Sequence, residues 1–161
     1  MLFLILLAIL QLGLALNPAA FRKLVKDCDA KVEDLPWQIT NFITFEKNNA
    51  SNHSSFLAFH FVDVNDRLEI NTTCLRTVPL NSTASLAGDG KSVCDNDDVA
   101  FEWDGKTLEL SRFYTDKCLG PVPYNTAIAY GRIQVNATPT TAIDGVYGMK
   151  TEVHVPISSL S

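Results

Sequence analysis

From Trp37 onward, apolar side chains recur at every second position, the period of a strand with one buried face. Trp37, Ile39, Ile43 and Phe45 alternate with Gln38, Thr40 and Thr44. Phe42 breaks the phase, which predicts a bulge near Asn41. Leu57, Phe59 and Phe61 share a face of a second strand. Leu68, Ile70, Thr72 and Cys74 share a face of a third, with Glu69, Asn71 and Thr73 opposite and an Asn65-Asp66 turn before it. Val99, Phe101 and Trp103 run into Asp104-Gly105, then Leu108 and Leu110, a strong local hairpin signal. Ala127, Ala129, Gly131, Ile133 and Val135 form another run. Tyr147, Met149, Thr151, Val153 and Val155 form the last, with Lys150, Glu152 and His154 on its other face. The pattern predicts about seven strands over residues 35–161, an all-β antiparallel barrel or sandwich. Thr77 to Asp98, rich in Ser, Gly, Asn and Asp, reads as the longest loop, with Cys74 and Cys94 flanking it.

Residues 1–15 have the pattern of a signal peptide. Leu2 to Leu10 is almost wholly apolar, no charged side chain precedes Arg22, and Gly13 and Ala15 supply the small residues before a cut after Ala15. The run is short for a bilayer span, so the expectation is a secreted protein with no membrane association after cleavage. Residues 16–34 form a polar lead-in. A net charge of −5 argues against nucleic acid, which requires a basic stripe.

Secretion gives the four cysteines their meaning. Cys28, Cys74, Cys94 and Cys118 read as two disulfides; four cysteines permit three pairings, and the sequence alone does not choose among them. Asn49, Asn52, Asn71, Asn81 and Asn136 each begin a glycosylation sequon. The phase of the third strand places Asn71 outside and Cys74 inside.

Candidate chemistry is sparse. His53 lies within a sequon, His60 and His154 lie on strands, and no G-x-S-x-G surrounds a serine. Asp95, Asn96, Asp97 and Asp98 offer clustered oxygens without the spacing of an EF-hand and read as a solvated turn. Glu69, Glu102, Glu109 and Glu152 fall on outward strand faces, where they keep the sheet soluble, rather than around one cleft. Phe101 and Trp103 read as core rather than as a sugar platform. Cys118 to Tyr124, with Gly120 and two prolines, reads as a rigid crossover. Neither a metal nor a cofactor is expected.

Trp37-Gln-Ile39-Thr-Asn-Phe42 resembles the W-x-I-x-x-F opening of the fungal major-allergen family, the β-barrel proteins named for the Alternaria allergen. The same order continues through Ser55 to Phe61, Leu68 to Cys74, Ser92-Val-Cys94 and Val99-Ala-Phe101. Cys28 stands a similar distance before the Trp as a cysteine of that family. The resemblance covers roughly Cys28 to Leu110. It implies a small β-barrel secreted by fungi, without enzymatic machinery, acting as an allergen, elicitor or effector. By position it implies a loop-closing Cys74–Cys94 disulfide. The family has a close cysteine pair in its C-terminal half and an N-terminal cysteine that links two subunits. This chain has only Cys118 there, which makes Cys28–Cys118 the economical second bond and favours a monomer over a disulfide-linked dimer.

The leading expectation is therefore a non-enzymatic extracellular protein acting through its surface on a host or neighbouring organism, with an unidentified protein partner. A module holding a small apolar or sugar ligand in a barrel mouth comes second, and a secreted hydrolase third.

Overall fold

The computed structural model describes Cys28, residues 33–49 and residues 51–161. The signal-peptide reading of residues 1–15 and most of the 16–34 lead-in lie outside the described residues. Ten strands are present: β1 (Trp37–Lys47), β2 (Ser55–Asp63), β3 (Ile70–Val78), β4 (Gly88–Val93), β5 (Val99–Trp103), β6 (Thr107–Thr115), β7 (Thr126–Gln134), β8 (Thr138–Ala142), β9 (Gly145–Val155) and β10 (Ile157–Leu160). They form two antiparallel five-stranded sheets, ordered β3-β2-β1-β9-β8 and β10-β7-β6-β5-β4. The sheets do not close on each other, so the all-β domain is a sandwich rather than the barrel that the resemblance implied.

The strand count exceeds the expected seven because β4, β8 and β10 were not legible as alternating runs. All three are sheet edges. An edge strand needs no buried side-chain row, since its backbone pairs with one neighbour only. Thus β4, within the stretch read as a loop, pairs with β5 at Gly88↔Trp103, Ser92↔Phe101 and Val93↔Ala100 with an irregular register. Pro139 fits β8 for the same reason.

The core lies between the sheets. Trp37, Ile39, Phe42, Leu57, Phe59 and Phe61 of the first sheet meet Val99, Phe101, Trp103, Leu108 and Leu110 of the second, each at most 5% exposed. Aromatic pairs cross the interface: Phe42 lies 5.3 Å from Trp103 and Phe59 lies 5.0 Å from Phe101, centroid to centroid. Trp37 reaches across to β7, where a side chain on Gly131 would stand 2.9 Å from its ring; only glycine leaves that space.

The expected bulge is present. β1 slips against β2 between Thr40 and Ile43, and Asn41 adopts a φ of 54°. Its consequence differs from the expected strand phase. The extra residue turns Phe42 into the core and sends Ile43 and Phe45 to the outer face. There Phe45 stacks between Phe56 and Tyr147, at 5.8 and 4.6 Å. β9 stays in register with β1 throughout, so its phase changes at the same level. Tyr147 and Met149 thus leave the face that Val153 and Val155 occupy, and Met149 and Thr151 are exposed.

Candidate functional site

The buried polar groups are concentrated around the turn between β2 and β3, beside β6. The Asp63 carboxylate, 2% exposed, accepts hydrogen bonds from Trp37 Nε1 at 3.0 Å and from the backbone and side-chain nitrogens of Asn65, both at 2.8 Å. Arg112 reaches from β6 in the opposite sheet, pairing with Asp63 and donating to the Leu68 carbonyl. Arg112 Nε is the buried side-chain polar atom left without a partner among the described residues. Nearby, Arg67 donates from Nε and Nη2 to Asp116 at 3.2 Å, and Asp116 also accepts from the Cys118 amide at 2.9 Å. Tyr114 donates to Glu33, and burial, reinforced by that carboxylate, pushes its phenol well above the ordinary tyrosine range. Each acid here is matched to a donor inside the protein, so these groups brace one sheet against the other.

The sequence candidates are dispersed around this scaffold. His53, His60 and His154 are all exposed; His60 Nδ1 lies 3.3 Å from Thr73 Oγ1, and His154 lies 3.1 Å from Glu152. Asp95, Asp97 and Asp98 are exposed around a turn in which Asn96 Oδ1 accepts the Asp98 amide. Among the described residues, no three His, Cys, Asp or Glu side chains converge as a metal site. Glu69, Glu102, Glu109 and Glu152 are exposed on strand faces as read. Asn49, Asn52, Asn71, Asn81 and Asn136 are all exposed, Asn71 on the outer face of β3.

Cys74 and Cys94 form a disulfide with Cα atoms 4.1 Å apart. It ties β3 of one sheet to the end of β4 in the other, and the Asp95 amide donates to the Thr73 carbonyl at 2.8 Å beside it. Cys28 and Cys118 are each disulfide-bonded as well, and no described cysteine is free.

Several depressions open on the outer faces, among them these two. One, of about 470 Å³, lies at the Asn41 bulge among Phe42, Ile43, Met149, Thr138 and Thr140. The other, of about 310 Å³, crosses the outer face of the second sheet above Ala100, Ser111 and Tyr130. The period-two pattern pointed to neither. The first depends on the phase change at Asn41, and the second on which small residues become neighbours across three strands.

Two five-stranded sheets, a filled aromatic core and a disulfide at their margin define a disulfide-stapled β-sandwich. A solved structure with this architecture is that of the Alternaria alternata allergen Alt a 1, with a TM-score of 0.54 and 15% identity, covering 81% of this chain and 94% of that one. A second structure of the Alternaria alternata major allergen Alt a 1 gives 0.49 and 13%, covering 80% and 96%. At these identities the likeness is one of fold. No family model matches the chain, and no curated protein sequence matches it.

Proposed function

We propose that this is a secreted, glycosylated, non-enzymatic protein of allergen or effector type, acting outside the cell through its surface on a host or neighbouring organism. The observation that carries this reading is the filled interior. Trp37, Phe42, Phe59, Phe61, Phe101 and Trp103 occupy the space where a barrel of this size would hold a ligand, so recognition falls to the outer faces. Support also comes from the disulfides, which suit an oxidising compartment, and from the shared fold of the Alternaria allergen.

The test is secretion from a eukaryotic host, followed by binding and activity assays. We expect a mature chain starting at Leu16, glycan on Asn71, and a protein recovered from host extracellular fluid that binds again when purified. Turnover of a peptide, ester or glycan substrate, abolished by a single substitution, would replace this reading with the hydrolase one. A small-ligand module is the second reading. The groove at Asn41 favours it, because it joins Phe42, Ile43 and Met149 to the hydroxyls of Thr138 and Thr140 outside the sandwich.

A further inference from the structure

Among the described sequon asparagines, Asn71 alone stands on a strand. Asn49 and Asn52 lie between β1 and β2, Asn81 between β3 and β4, and Asn136 between β7 and β8. β3 is an edge of the first sheet. Alternation along it puts Asn71 and Thr73, the first and last residues of the sequon, on the outer face, with Cys74 turned to the core. Register then fixes their neighbours. Asn71 lies opposite Val62, and Val62 opposite Gln38. In the next row Thr73 lies opposite His60, and His60 opposite Thr40.

Two depressions meet at Asn71. One, of about 450 Å³, runs over Thr40, His60, Val62 and Thr73 to Asp95. The other, of about 350 Å³, is mainly apolar, with Val62, Val64 and Ile70 in its lining. Val62 and Asn71 line both. The turn after Cys94 is fastened along β3 and walls the first depression. The Asp95 amide donates to the Thr73 carbonyl at 2.8 Å, and the Asn96 amide to the Thr72 hydroxyl at 2.9 Å.

From this placement we propose that the two depressions are the seat of the protein's own N-linked glycan at Asn71. In the covalent step Asn71 Nδ2 bonds to C1 of the first sugar, the bond from C1 to the diphosphate of a lipid-linked donor breaks, and the amide gives up one proton. Residues facing each other on adjacent strands stand about 5 Å apart, so a ring held by Asn71 reaches Val62. Val62 offers apolar surface to the hydrogen-bearing face of that ring. Thr40, Thr73, His60 and Gln38 offer hydrogen bonds to its hydroxyl and N-acetyl groups. The tether identifies the occupant. A ligand bonded at the rim meets the seat at an effective concentration in the millimolar range, so even a shallow surface with weak contacts is filled. A free ligand has no such advantage. The seated glycan also withdraws this part of the first sheet from any partner.

The inference rests on the glycosylated part of the reading above and deepens it. The test is NMR of the intact chain, secreted from a eukaryotic host fed carbon-13 glucose so that its sugars are observed. The first two sugars on Asn71 are expected to show order parameters near those of a folded backbone, about 0.85, and those on the loop asparagines below about 0.6. Contacts from the Asn71 sugars to the Val62 methyls and the His60 ring are expected in nuclear Overhauser spectra. Asn71→Gln is expected to shift the amides of Val62, His60 and Thr40. Val62→Ser is expected to loosen the sugars while Asn71 stays glycosylated. The wild-type contacts keep the test decisive if a variant fails to fold. Sugars on Asn71 as mobile as those in the loops, or without contact to Val62 and His60, would overturn the seat and leave the glycosylated, surface-acting reading standing. Asn71 unmodified in secreted protein that carries glycan elsewhere would overturn it as well. Secreted protein bare at every sequon would remove the glycosylated reading and the inference together.

Discussion

Asp63 and Arg112 sit on opposite sheets and each is almost completely buried. Two charges removed from water are tolerated only when every lone pair and proton is answered; here Trp37, Asn65 and the Leu68 carbonyl answer most of them. Removing one partner strands the other. Arg112→Leu or Asp63→Ala is expected to cost about 3–5 kcal/mol in urea unfolding, and the double replacement by apolar residues less than the sum of the two. At the Asp104-Gly105 hairpin a carboxylate plays a smaller part. Gly105 takes a φ of 97°, and Asp104 Oδ1 accepts the amides of Thr107 and Lys106 at 2.6 and 2.8 Å. Those bonds, Thr107's first, hold the Asp104 carboxyl below its ordinary value. A depressed carboxyl contributes stability that is complete above its unfolded pKa, about 3.9, and is lost as pH falls through the lower folded value. The Lys106 and Thr107 amide shifts should therefore change only at a pH below the ordinary aspartate range, and Asp104→Asn should abolish that transition.

Single residues also decide how whole strands face. Asn41 holds a positive φ that asparagine accepts more readily than a β-branched residue. Asn41→Gly should be nearly silent, whereas Asn41→Val should cost roughly 1–2 kcal/mol in thermal or urea unfolding. If Val costs nothing, the bulge is not fixed by this residue. The bulge itself was legible, because Phe42 broke an otherwise regular alternation. Its effect on Ile43, Phe45, Tyr147 and Met149 was not. A period-two pattern shows that a face changes but not which side then meets the core, and both sides of this bulge carry aromatics. The strands carrying Leu57 to Phe61, Val99 to Trp103 and Leu108 to Leu110 were readable because each faces a core from inside a sheet. The edges β4, β8 and β10 were not, since they lack a regular row of core side chains; of β10, Ile157 packs against the core. The depression over Ala100 and Ser111 was invisible for a related reason: the two are unremarkable until register sets them side by side. Where the sheets meet at an edge, the Cys74–Cys94 bond closes a loop with a sequence separation of 20. The chain-entropy account gives such a loop roughly 3 kcal/mol, so Cys74→Ala/Cys94→Ala should lower the urea midpoint while leaving the rest of the sandwich folded.

At the scale of the molecule the open question is whether the chain is covalently alone. Cys28 and Cys118 are both oxidised, and Cys74 and Cys94 already hold each other. We expect Cys28 and Cys118 to bond to one another within a single chain. A dimer would need Cys28 to reach its counterpart in a second copy and Cys118 to do the same, two intermolecular closures where one intramolecular closure suffices. Cys118 is held in place by its own amide, which donates to Asp116, itself anchored by Arg67. A fixed acceptor favours closure within the chain, because only one of the two ends has to be brought to it. The loop spans about 90 residues, for which the chain-entropy account gives roughly 4.6 kcal/mol before native strain. Electrophoresis with and without reductant decides between the two. A single band at the monomer mass in both lanes, with no free thiol after denaturation, is the expected result. A band at twice that mass which collapses on reduction and disappears in Cys28→Ser would show instead that the N-terminal cysteine joins two copies. Peptide mapping then identifies the bond directly, since an intramolecular link yields one cross-linked fragment containing both Cys28 and Cys118.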